Sequence, residues 1–147
     1  MGSRKKEKTV KNEEGKLGID FKTLVDILKD YKKIKIKDLK IYTLICLKTT
    51  NSSYKIALID PKTGVCVICG TNKEFFSKPV RCRIEGAVSI SGSSSLYSGV
   101  IIEGFCVEIV IYSLNKRLWL SSVERMQVQP DSKMAKEIIK ESYKNIH

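Results

Sequence analysis

Apolar residues recur along this chain with two periods, and the switch between them marks a change of element. Between Asp20 and Lys33, Phe21, Leu24, Val25, Leu28 and Tyr31 fall at helical spacing, with Asp20 placed to cap the first turn. Lys29, Lys32 and Lys33 lie toward the negative end of the helix dipole, so a short amphipathic helix is predicted there. From Ile34 the period becomes two. Ile34 and Ile36 alternate with Lys33, Lys35 and Lys37, and a β-rich apolar run follows from Ile41 to Lys48.

Tyr54 to Ile59 and Val65 to Cys69 flank Asp60-Pro61-Lys62-Thr63-Gly64, where Pro61 presets a turn dihedral and Gly64 can take positive φ. This is the clearest hairpin. Further strands are predicted at Val80 to Ile90, Val100 to Tyr112, Arg117 to Leu120 and Met126 to Gln129, with a turn near Leu114 to Lys116. The Gly- and Ser-rich stretch Ser91 to Gly99 reads as a loop. After Pro130, Asp131 can cap a last helix with Met134, Ile138, Ile139 and Tyr143 as its apolar stripe.

Strands between two helices imply an α+β fold: a small, strongly bent antiparallel β-barrel or sandwich-like sheet of about six strands, flanked by an N-terminal and a C-terminal helix. The expected organisation is a basic tail over 1–16 and a single domain over 17–147, β-rich from 34 to 130, with the final helix at 131–145.

Charge changes the picture more than any motif. The 147 residues carry 27 Lys and Arg against 16 Asp and Glu, a formal net charge of +11. The excess is not confined to the tail, because residues 41–130 hold ten cations and six acids. Such a surplus points to a polyanionic partner. The only histidine is His147, so the commonest general base near neutral pH is almost missing. No Walker-type loop or dinucleotide fingerprint is present, and no carboxylate spacing demands a shared site, so no enzyme activity and no cofactor are expected. No apolar run reaches the roughly 18 residues of a membrane span, which makes a cytoplasmic address without membrane association the expectation.

Strand alternation sorts the cations. Lys33, Lys35 and Lys37 should share one face while Ile34 and Ile36 point inward, and Arg81 and Arg83 should oppose Cys82 and Ile84. Arg117 and Trp119 should likewise oppose Leu118 and Leu120, with Lys116 in the adjoining turn. A guanidinium beside an exposed indole can bind a phosphate and stack a base. The competing reading packs Trp119 in the core and leaves the lysines to protect sheet edges.

Cys66-Val67-Ile68-Cys69-Gly70 could offer two thiolates to zinc, with Cys82 as a third ligand and Cys46 or Cys106 as a fourth. In an extended strand, however, Cys66 and Cys69 face opposite sides, so inert buried thiols are the expectation and no metal is assigned.

The reading that follows is a non-catalytic nucleic-acid-binding protein that contacts the phosphates of DNA or RNA with low sequence specificity. Lys33, Lys35, Lys37, Arg81, Arg83, Lys116 and Arg117 would form its basic β surface, and Trp119 would stack. The alternative is a protein-interaction or assembly module, a homo-oligomer or complex subunit that docks through a sheet edge or the C-terminal helix.

Overall fold

The computed structural model describes residues 31–89 and 95–144. The basic tail and nearly all of the expected N-terminal helix lie outside the described residues; of that helix, Tyr31, Lys32 and Lys33 are described and are not helical. In chain order the elements are β1 (Lys33–Lys35), a 3-10 turn (Ile36–Asp38), β2 (Leu44–Thr49), β3 (Ser53–Asp60), β4 (Val65–Gly70), β5 (Val80–Ser89), β6 (Ser95–Ser98), β7 (Val100–Ile102), β8 (Cys106–Ile111), a second 3-10 turn (Tyr112–Leu114), β9 (Lys116–Leu120), β10 (Val123–Gln129) and helix α1 (Lys133–Lys144).

The main sheet runs β10-β2-β3-β4-β5-β8-β9, with β6 also paired to β5, and β1 and β7 form a separate ribbon. Every pairing is antiparallel. Two expectations are corrected. Among the described residues the strands number ten rather than about six, partly because Gly104, at φ 89, breaks the Val100 to Tyr112 run into β7 and β8. The Gly- and Ser-rich stretch also contributes a strand, β6, because the second half of β5 has an edge there for it to pair with.

The expected barrel is not closed. β9 and β10 are consecutive, joined by Ser121 and Ser122, yet they occupy opposite edges of the sheet, and no ladder links them. The sheet must curl for so short a connection to span its edges. The corner is held instead by Val123, which accepts from the Gly104 N–H at 2.7 Å and donates to the Phe105 carbonyl at 2.9 Å. Beyond it β10 is committed to β2, which leaves β9 without a partner on its outer side.

Alternation then builds two apolar layers. The inner face carries Ile45, Leu47, Ile56, Leu58, Ile68, Ile84, Val107, Ile109, Ile111, Leu120 and Met126, with Ile34, Ile36, Ile101 and Phe76 closing over them. On the outer face, Leu44, Ala57 and Val67 of β2, β3 and β4 are covered by Ala135, Ile138 and Ile139 of α1. The buried stripe of α1 is Ala135, Ile138, Ile139 and Ser142, while Met134 and Tyr143 are exposed. That is an i, i+3, i+4, i+7 row, and its small residues let the helix lie close to Ala57. Its cap also shifts: the Ser132 hydroxyl accepts the Ala135 N–H at 3.1 Å, whereas Asp131 sits one residue too early at φ 46.

Candidate anion-binding cleft

Lys33, Lys35 and Lys37 are exposed, while Ile34 and Ile36 are buried, as alternation requires. β1 ends at Lys35, and the following 3-10 turn carries Lys37 round toward the β3–β4 hairpin. At that hairpin Gly64 takes φ 86, accepts the Ile84 N–H at 2.9 Å through its carbonyl, and donates to Asp60 O at 2.9 Å. A Cβ at Gly64 would lie 2.6 Å from the Ile84 carbonyl oxygen, so only glycine lets the hairpin approach β5 this closely. The approach brings Lys62 opposite β1.

A cleft of about 390 Å³ results, with Lys35 and Lys37 on one wall, Lys62 and Gly64 on the other, and Arg83, Glu85, Ser98 and Gly99 among the residues between them. Gly99 ties these parts together, donating to the Glu85 carbonyl and accepting from the Ile36 N–H, each at 2.9 Å. Among the described residues, Lys35, Lys37 and Lys62 make no ion pair. The one carboxylate on the lining, Glu85, is already bound by the Arg83 guanidinium, and that hydrogen bond raises the Arg83 pKa. Three lysines that make no ion pair among the described residues thus line a hollow of ligand size.

The other cations meet different fates. A bulge sets both Glu85 and Gly86 against Glu108 of β8, which places two carboxylates on one outer patch. Arg117 answers both, 2.9 Å from Glu108 and 3.7 Å from Glu85, and the Trp119 indole N–H donates to Glu108 at 2.7 Å. This part of the expected basic surface is thus a self-neutralised network. Trp119 is nevertheless 46% exposed, so the core reading of this residue fails and one side of the indole faces solvent.

Lys116 opens β9 with the parity of Leu118 and Leu120, and its ammonium sits 4.9 Å from the centre of the Phe75 ring. Lys33 is exposed but is not on the cleft lining. Arg81 shares the outer face of β5 with Arg83 but turns to the end of α1, where it stacks on Tyr143 at 4.9 Å. Of the eight residues expected to contact nucleic acid, the cleft gathers three: Lys35, Lys37 and Arg83. Sequence reasoning missed Lys62, which was visible as the one cation in the turn of the best-defined hairpin.

The cysteines divide between the layers. Cys66 and Cys82 are direct cross-strand partners buried in the inner core, where loss of hydration pushes both thiols up, Cys82 to about 12. Cys69 packs against the outer layer under α1, so the extended β4 strand separates the three sulfurs that a zinc site would need. Among the described residues no group of three or more metal-ligating side chains comes together, and no helix is long and apolar enough to cross a membrane.

No protein-family model, characterised protein or solved structure matches the chain, and the geometry of its own side chains is what bears on function.

Proposed function

We propose that the protein binds nucleic acid, DNA or RNA, through backbone phosphates seated between β1 and the β3–β4 hairpin. The reading rests on one observation: Lys35, Lys37 and Lys62 converge on a cleft whose single lining carboxylate is occupied by Arg83. Phosphate diesters along a strand supply the complementary charge, and lysine ammonium groups contact them without regard to base. Specificity is accordingly low. Trp119 lies beyond Glu85 and Glu108 on the same outer surface, and its exposed ring offers a base a stacking partner.

Ionic strength provides the test. With about three phosphates neutralised, log affinity for a short labelled oligonucleotide falls with log salt at a slope of roughly −2 on single strands and roughly −3 on duplex. Anisotropy titrations between low and moderate salt measure it, and an affinity that stays level across that range would overturn the proposal.

For the assembly alternative, α1 keeps Met134 and Tyr143 exposed. Ile138 and Ile139 are covered by the chain's own sheet, so that face of α1 is not open to a partner.

A further inference from the structure

We propose a second anion site, separate from the lysine cleft, that accepts a phosphate monoester at Arg81. Two N–H-bearing atoms of this guanidinium, Nε and Nη2, are shielded from solvent and have no hydrogen-bond partner among the described residues. Nε and Nη2 form the side-on fork of arginine, whose parallel N–H bonds match two oxygens of one oxyanion. Leaving such donors unpaired is costly, so the position fits a ligand that supplies the acceptors. The fork's surroundings agree. Arg81 lines a hollow of about 360 Å³ with Lys78, Val80, Tyr112, Ser113 and Ser142, and no carboxylate is on that lining.

Stacking on Tyr143 at 4.9 Å fixes the plane of the guanidinium, and the strand position of Arg81 between Val80 and Cys82 fixes its stem. The Ser142 hydroxyl already donates to the Ile139 carbonyl at 2.6 Å, so Ser113, Lys78 and Tyr112, whose oxygen also accepts from Arg83, are the remaining donors at the rim. A fork, two hydroxyls and an ammonium exceed what one carboxylate accepts but suit the three terminal oxygens of a phosphate monoester.

The test uses the full chain and follows the Arg81 Nε–H resonance by ¹H–¹⁵N NMR during titration with inorganic phosphate, with acetate at matched ionic strength as the comparator. Phosphate should produce a saturable shift that acetate does not. Arg81→Lys keeps the charge but removes the fork, and should weaken phosphate binding, followed by calorimetry, at least about tenfold; Tyr112→Phe should weaken it about threefold. Tyr112 and Lys78 are both exposed, so Tyr112→Phe and Lys78→Ala carry the test if Arg81→Lys does not fold.

The variant Lys35→Glu, Lys37→Glu, Lys62→Glu should bind phosphate at Arg81 unchanged, which keeps this site's failure distinct from that of the lysine cleft. A shift with phenyl phosphate assigns the site to a small phosphorylated molecule. A shift seen only with a 5′-phosphorylated oligonucleotide, and not with its unphosphorylated twin, assigns it to a nucleic-acid end, and both results uphold the site. No saturable shift up to about 50 mM phosphate, an equal response to acetate, or unweakened binding by Arg81→Lys would overturn it.

Discussion

Two patches a few residues apart on the outer surface of β5 use the same kinds of side chain to opposite ends. At one, Lys35, Lys37 and Lys62 line a hollow whose one carboxylate, Glu85, is held by Arg83; at the other, Arg117 is spent on Glu108 and Glu85. The difference comes from backbone geometry. The bulge at Glu85 sets two carboxylates opposite one another and so requires arginines between them, while the glycine turn at Gly64 presses the hairpin against β5 and so sets Lys62 on the same cleft as Lys35 and Lys37. Net charge cannot distinguish the two patches, because a cation matters to a distant polyanion only if no neighbouring carboxylate already holds it.

The largest effect should come from reversing the cleft. Lys35→Glu, Lys37→Glu, Lys62→Glu is expected to lower oligonucleotide affinity about 100-fold at low salt, whereas Arg117→Glu should change it by no more than about threefold. Anisotropy titrations of both variants under one buffer make the comparison, and equal losses would erase the distinction between the patches.

Glu108→Ala attacks the neutralised side. It strips the Trp119 N–H and Arg117 of a shared acceptor, and because Arg117 is more than half exposed the loss of stability is only about 1 kcal/mol, readable by urea denaturation. The same change releases a guanidinium and an indole toward solvent, so oligonucleotide affinity should rise about threefold. Trp119→Ala in the otherwise unchanged protein should weaken single-strand binding by a similar factor and leave duplex binding as it was. Equal effects on both would argue against stacking.

A further effect lies beneath β5 and concerns pH. Burial raises the Cys82 thiol to about 12 from its ordinary 9.0, so the folded state favours the neutral form. The unfolded chain ionises first, and this contribution to stability, fully present below pH 9, is lost as pH rises toward 12. Denaturation midpoints measured across that range should fall less steeply in Cys82→Ala than in the parent, and parallel curves would contradict the assignment.

Much of this was legible from residue order alone. Alternation correctly paired buried Ile34, Ile36, Cys82 and Leu120 with outward Lys35, Arg83 and Trp119, and Pro61 with Gly64 announced the hairpin. Strand order was not legible, since the partnering of β10 with β2 joins residues some 80 positions apart and leaves no local trace. That pairing leaves the sheet open rather than closed. The stripe of α1 was misplaced because large side chains were weighted over the small Ala135 and Ser142, which the close approach to the sheet favours. The site was half legible: the lysines of β1 could be read, but only the fold shows that Lys62 faces them and that Glu108 takes Arg117 out of play.

The central claim is that position, and not total charge, recruits the polyanion. Charge isomers test it most directly: Lys35→Glu, Lys37→Glu, Lys62→Glu against Lys73→Glu, Lys133→Glu, Lys140→Glu, three exposed lysines away from the cleft lining. Both variants carry the same net charge, and their affinities for one labelled oligonucleotide are compared at equal salt. The account predicts that the first loses about 100-fold and the second no more than about threefold. Equal losses in the two would contradict it.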